Sequence, residues 1–107
     1  MIDPSERNSK AESAVLIGLI TDRQDAAQVT EYLDELEFLA TTADIIALKR
    51  FAQKLHQPDG RTYIGSGKLA EVKAWMKDNG ADAVIFDDEL TPAQQRNLEK
   101  ELGTPVL

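Results

Sequence analysis

Three groups of residues in this 107-residue chain have types and spacings that could do chemistry. The first is Gly65-Ser66-Gly67-Lys68, which carries the closing Gly-Lys of the phosphate-loop pattern G-x-x-x-x-G-K-[ST]. The leading glycine position is Thr62 and the magnesium-binding hydroxyl position is Leu69, so nucleotide hydrolysis by this turn is not expected. Backbone N–H groups at a glycine-rich helix entry beside a lysine still suit a phosphate of a nucleotide or of RNA. The same glycines can serve merely as a tight entry into the helix. The second group is Asp87-Asp88-Glu89, at the carboxyl end of an apolar run, where open α/β sheets place ligand crevices. Asp87 and Asp88 could hold Mg²⁺ if a second set of oxygens lay near, with Asp22 as the candidate; acids before a helix also stabilise its positive end with no other purpose. The third group is basic: Lys49, Arg50, Lys54, His56, Arg61 and Lys68, with Tyr63 among them. Such cations usually form a solvated surface, but with an aromatic ring for stacking they also make an RNA-backbone footprint.

The elements that would position these residues follow from hydropathy. Ala14–Ile20 is a continuous apolar run, as in a strand covered on both faces. From Asp25 to about Thr42 the period becomes helical, with Val29, Leu33, Leu36 and Leu39 or Ala40 on one side and Glu31, Asp34, Glu35 and Glu37 on much of the rest. Residues 44–51 read as a second strand, Gln57-Pro58-Asp59-Gly60 as a turn, and Thr62–Ile64 as a short extended piece. A second helix is expected over Lys68–Asp78, its inner face Leu69, Val72 and Met76, stopped by Asn79-Gly80. Trp75 lies off that face and is expected against a neighbouring strand or a further domain. Ala83–Phe86 is a third strand. Thr91, Pro92 and Gln94 then form a T-x-x-Q capping box with proline in the first turn, opening a helix that closes near Leu102-Gly103. Thr104–Leu107 reads as the start of a fourth strand. The fold class is α/β: a small parallel sheet of about four strands with flanking helices, in the order β-α-β-α-β-α-β. Residues 1–13 are a polar, aperiodic tail, expected to be disordered; 14–107 form one domain.

Composition bounds the rest. The apolar fraction of 42% and charged fraction of 29% are those of a globular chain. No apolar run reaches the ~18 residues of a membrane span. The chain has no cysteine and one histidine, which excludes disulfides, thiolate metal sites and multi-histidine sites, and a cytoplasmic location is expected. His56 has no nucleophile pattern around it and is read as a surface loop residue. The net charge of −7 argues against nucleic-acid binding over the whole surface. It is unevenly spread. Residues 1–48 carry three basic and ten acidic groups, residues 49–77 seven basic and two acidic, and residues 78–107 two basic and seven acidic. An anionic partner would meet the middle third.

Two stretches resemble a known family. Tyr63-Ile64-Gly65-Ser66-Gly67-Lys68-Leu69 and Val84-Ile85-Phe86-Asp87-Asp88-Glu89-Leu90-Thr91-Pro92-Ala93-Gln94-Gln95-Arg96-Asn97-Leu98-Glu99, with Gln53-Lys54 upstream, are similar to the N-terminal domain of HflX-type GTPases over roughly Ala14–Leu107. The resemblance implies an accessory α/β domain preceding a helical segment and a GTP-binding domain, in a protein that associates with the large (50S) ribosomal subunit and acts in translation or ribosome splitting and rescue. GTP and Mg²⁺ would belong to the missing GTPase domain, since no complete Walker A, D-x-x-G or N-K-x-D occurs here. This domain is then expected to bind no cofactor, to have no catalytic residue and to contact ribosomal RNA and its own GTPase domain, with no membrane span. The candidate RNA or phosphate contacts are Lys49, Arg50, Lys54, Arg61, Tyr63, Gly65, Ser66, Gly67 and Lys68. The alternative is a free-standing nucleotide- or phosphate-binding module that uses the Gly65–Lys68 turn.

Overall fold

The first strand among the described residues lies at the middle of the sheet. In the computed structural model, which describes residues 12–107, β1 (Ser13–Ile20) pairs in parallel with β2 (Ile46–Lys54) on one side and β3 (Ala83–Phe86) on the other, giving the order β2-β1-β3. Helices α1 (Ala26–Thr42), α2 (Ser66–Asn79) and α3 (Pro92–Leu102) supply the crossovers and the cover. Both faces of β1 are therefore buried, and Ala14 to Ile17 and Leu19 are fully inaccessible. That is the physical reason for its unbroken apolar run.

The two faces divide the core. Leu16 packs with Val29 and Leu33 of α1, joined by Ile20, Leu36, Ala47 and Ile85. On the other face Val15, Ile17 and Leu19 meet Phe51, Val72, Met76, Phe86 and Leu98 in the larger cluster under α2 and α3. Gly18 lies on the α1 face, where a Cβ would overlap the Val29 side chain; the missing side chain lets helix and strand approach closely. Trp75 packs edge-on against Phe51 of β2, with ring centroids 6.2 Å apart.

Helix boundaries follow local chemistry. Asp25 caps α1 in a reciprocal box with Gln28, and Thr91 does the same for α3 with Gln94; a cap of this kind contributes about 1 kcal/mol. Gly80 and Gly103 end α2 and α3 in the left-handed conformation. At the base of the sheet, one Asp82 carboxylate oxygen accepts from the backbone N–H groups of Glu12 and Ser13 and from the Ser13 hydroxyl, joining the start of β1 to the start of β3.

Four expectations shift. The second strand begins at Ile46, because Asp44 takes a positive φ of 61° in the turn after α1. It runs on to Lys54, since an edge strand tolerates polar residues on its open side, and Leu48 is the extra residue where the β1–β2 register slips. Thr62–Ile64 is a buried turn, with Tyr63 at φ 67°. The fourth strand is present only as one parallel bridge, Val84 to Val106, made by Val84 N–H to the Pro105 carbonyl at 3.0 Å and Leu107 N–H to the Val84 carbonyl at 2.9 Å. Among the described residues the sheet proper has three strands. Of the polar tail, residues 1–11 lie outside the described residues, and Ser13 already belongs to β1.

Candidate nucleic-acid interface

The loop from Leu55 to Gly65, between β2 and α2, is built by short-range polar bonds and then clamped from α3. One Asp59 carboxylate oxygen accepts from the backbone N–H groups of Arg61 (2.8 Å) and Thr62 (3.0 Å), which hold its carboxyl below the usual aspartate value. Asp59 and Tyr63 exchange backbone bonds in both directions, closing the turn that Tyr63 completes in the left-handed region. Gln94 Nε2 then donates to the Asp59 carbonyl at 2.7 Å, and Asn97 Nδ2 to the Arg61 carbonyl at 3.0 Å. The Gln94 side chain thus does two tasks, since its oxygen also accepts from Thr91 N–H in the capping box. Residues that read as a helix start therefore also fix a loop more than thirty positions earlier in the chain.

The crevice above the strand ends is filled from within. It lies between β1 and β3, where the strand order reverses and doubly wound sheets bind ligands. Here the Tyr63 hydroxyl donates to Asp87 Oδ1 at 3.0 Å, while Asp87 Oδ2 accepts from Leu19 N–H at 3.1 Å and Gln24 Nε2 at 2.9 Å. Burial pushes the Asp87 carboxyl up, and the three donors work against that rise; burial beside Asp87 also pushes the Tyr63 phenol upward. Both Asp87 oxygens are committed to the fold. Asp88 is exposed and its carboxylate accepts from Glu89 N–H. Asp22 pairs with the exposed His56 at 3.3 Å. Among the described residues no group of three or more His, Asp or Glu gathers where it could hold a metal ion.

The basic residues separate into distinct environments. Arg50 points to the α1 face and is clamped by Asp34 at 2.8 Å and Glu37 at 3.1 Å; the Asp34 contact leads in raising its already high pKa, so it is not a free cation. Arg61 reaches Glu101 at 3.7 Å, and Lys68 pairs with Glu71 one turn along α2 at 2.6 Å. Tyr63 is buried and packs edge-on against Phe86, so its ring offers no face for stacking. Lys49 lies over the Phe51 ring, 5.7 Å from its centroid, on the α2 side of the sheet. Lys49 and the exposed Lys54 have no carboxylate partner among the described residues.

The Gly65–Lys68 turn opens α2 without a side-chain cap, unlike the other two helices. Gly65 N–H donates to Gln53 Oε1 at 2.8 Å, which ties this helix start to the end of β2 next to Lys54. Ser66 and Gly67 are exposed, and nothing lies within 4 Å of where a Gly67 Cβ would be. The first amides of α2, Lys54 and the Lys68 stem thus sit about one end of the β2–α2 unit. Sequence reasoning singled out Gln53 only through the family resemblance and not for its bond to Gly65, and it missed Gln24 and the Asp34–Glu37 clamp. The spacing of Asp34 and Glu37 did signal a shared helix face, but the arginine they hold comes from another element.

The chain is similar to known proteins over most of its length. Residues 30–107 match the family described as GTP-binding GTPase N-terminal. The chain is 42% identical over 96 residues to the GTPase HflX of Flavobacterium psychrophilum, covering 90% of this chain and 23% of that protein. It is 37% identical to the GTPase HflX of Chlamydia pneumoniae, covering 98% and 22%, and 35% identical to that of Escherichia coli strain K12, covering 89% and 22%. The chain therefore spans about a quarter of the length of these relatives. The fold is similar to that of a chain in the crystal structure of SsGBP and GDP complex, with a TM-score of 0.65 and 22% identity over 89% of this chain and 25% of that one. With the two quoted stretches, the α3 clamp on the Asp59–Gly65 loop and the family match all falling on the same segment, this chain belongs to the GTP-binding GTPase N-terminal family, as the N-terminal domain of an HflX-type protein.

Proposed function

We propose that this domain is the non-catalytic docking part of a cytoplasmic GTPase that associates with the large ribosomal subunit, and that it contacts ribosomal RNA through the β2–α2 edge. GTP and Mg²⁺ belong, on this reading, to the domain that its relatives carry beyond the shared quarter. The observation that carries the proposal is the pairing of free cations on β2 with an uncapped helix start: Lys49 and Lys54 lack carboxylate partners among the described residues, and Gln53, next to Lys54 at the end of the strand, holds the open N-terminus of α2. Amides at a helix start and lysine ammonium groups both favour phosphate, and an acidic protein can approach RNA only through such a local face. Arg50 drops from the contact set because Asp34 and Glu37 already neutralise it, and Tyr63 drops because it is buried.

The test is co-sedimentation of the full-length protein with large subunits, with Lys49 and Lys54 both changed to glutamate. Weaker binding, with a salt dependence shallower by about one logarithmic unit per lost phosphate contact, is the expected result. Unchanged binding overturns it. GTP hydrolysis with and without residues 1–107 distinguishes docking from a purely intramolecular role: docking changes the rate only when ribosomes are present. The free-standing nucleotide-binding alternative has less support, since Gly65 N–H is taken by Gln53 and Lys68 by Glu71.

A further inference from the structure

Helix α1 crosses the sheet over β1 and β2, and among the described residues no second helix covers that face, because α2 and α3 both pack on the other. The half of the face over β3 is therefore only partly covered. Asp34 and Glu37, which hold Arg50, mark the β2 flank of α1. Tyr32 and Leu39 are each two residues from one of them, nearly opposite it round the helix, and so lie on the β3 flank. With Leu36 between them they keep the 3–4 spacing of a helix-packing seam. Tyr32 is 40% and Leu39 51% accessible. Leu36 and Ile85, the latter on β3, pack against the cluster of Leu16, Val29 and Leu33 and stay partly exposed. Val106 is buried in the opposite cluster, so strand alternation brings the exposed Leu107 to this face beside Ile85. Five apolar side chains thus form one strip between α1 and the outer edge of β3.

Such a strip costs free energy in water until something covers it. Its shape specifies a helix. Parallel sheets with helical crossovers are covered on both faces, and a helix laid beside α1 would fill the Tyr32–Leu36–Leu39 seam while resting on Ile85 and Leu107. RNA gains nothing from five apolar side chains. A second copy related by a two-fold axis would set Glu35, which adjoins both Tyr32 and Leu39 on the helix, close to its own counterpart, and each copy carries a net charge of −7. The relatives, of which this chain spans about a quarter, carry a long further stretch that can supply the helix. We propose that the α1–β3 strip seats an amphipathic helix from that further part of the same protein, with apolar residues at 3–4 spacing toward α1 and a lysine or arginine facing Glu35. The proposal rests on the family membership and is independent of the RNA contact, which lies on the β2 side of the sheet.

Hydroxyl-radical footprinting of the full-length protein tests it, with the rate at each side chain normalised to that in the urea-unfolded chain. Tyr32 and Leu39 are expected to react about tenfold more slowly than Phe38, which lies on the outer face of α1 and is 68% accessible. Leu39→Lys is expected to speed hydrogen exchange in a helical segment beyond residue 107, and Phe38→Lys to leave that segment unchanged. Equal normalised rates at Tyr32, Leu39 and Phe38 would overturn the proposal. So would protection that disappears on dilution together with a dimer, or a Leu39→Lys effect confined to residues 1–107. The double variant Lys49→Glu with Lys54→Glu keeps the protection of Tyr32 and Leu39, so a failure of the RNA contact and a failure of this proposal are read separately.

Discussion

The Tyr63 hydroxyl and the Asp87 carboxylate meet at 3.0 Å, joining a left-handed turn residue to the end of β3 and closing the crevice where this sheet type ordinarily binds ligands. Tyr63→Phe removes one of three donors to a half-buried carboxylate. A loss of about 1–3 kcal/mol of stability is expected, since the remaining acceptor keeps its desolvation penalty. Urea unfolding checks it. Asp87→Leu, which has a similar size but strands the Leu19 N–H and leaves the Gln24 amide only its bond to the Leu19 carbonyl, should cost at least as much.

The same carboxylate sets a pH dependence. Burial raises the folded-state pKa of Asp87 above its ordinary 3.8, so the folded form prefers the proton more than the unfolded form does. Its contribution is full below 3.8 and is lost as pH rises through the raised value. Asp59 acts the other way: held low by the Arg61 and Thr62 N–H groups, it contributes above 3.8, and that contribution is lost as pH falls through its lowered pKa. Urea midpoints across the carboxylate range should become more favourable to alkaline pH in Asp87→Asn and less so in Asp59→Asn. Parallel curves for both variants and the parent would contradict this assignment.

Two glycines should respond oppositely to alanine. Gly18→Ala drives a methyl into Val29 and is expected to cost about 1–3 kcal/mol. Gly67→Ala meets open space in the first turn of α2 and should stabilise by up to about 1 kcal/mol. Thermal midpoints of the pair, measured side by side, decide.

Gln94→Ala should act at a distance. It removes half of the α3 capping box together with the bond to the Asp59 carbonyl, for a loss of about 1–3 kcal/mol. Its distinctive sign is faster hydrogen exchange at the Tyr63 amide, which the Asp59 carbonyl holds in the clamped loop. Thr91→Ala breaks the cap but not the loop bond, so it should lose stability without that local exchange.

Much of the framework could be read locally. The unbroken apolar run of β1, the Thr91–Gln94 box and the glycine stops at Gly80 and Gly103 are each decided by residues within a few positions of one another, and each appears where the pattern placed it. The site was less legible because its decisive contacts are distant. Nothing around Tyr63 says that it will be buried against Phe86 and bonded to Asp87, and nothing around Arg50 says that α1 will neutralise it. Asp87 was misleading for a related reason: a carboxylate at a strand end fits a metal ligand, a helix partner and an internal hydrogen-bond acceptor equally well until its donors are known. The fourth strand differs by degree, since Val106 makes its bridge but the pairing extends no further.

The central place of β1 also orders the making of the protein. The residues synthesised early must wait for partners that emerge late: Ser13 pairs with Ile46, and Ala14 with Ala83. Until β2 is made, β1 can bury only the face that α1 covers; until β3 and α3 follow, its second edge stays open and its second face is covered only by α2. Such non-local closure slows folding and leaves an apolar segment exposed meanwhile. The nascent chain must therefore keep Val15-Leu16-Ile17 from other strands until nearly the whole domain has been translated.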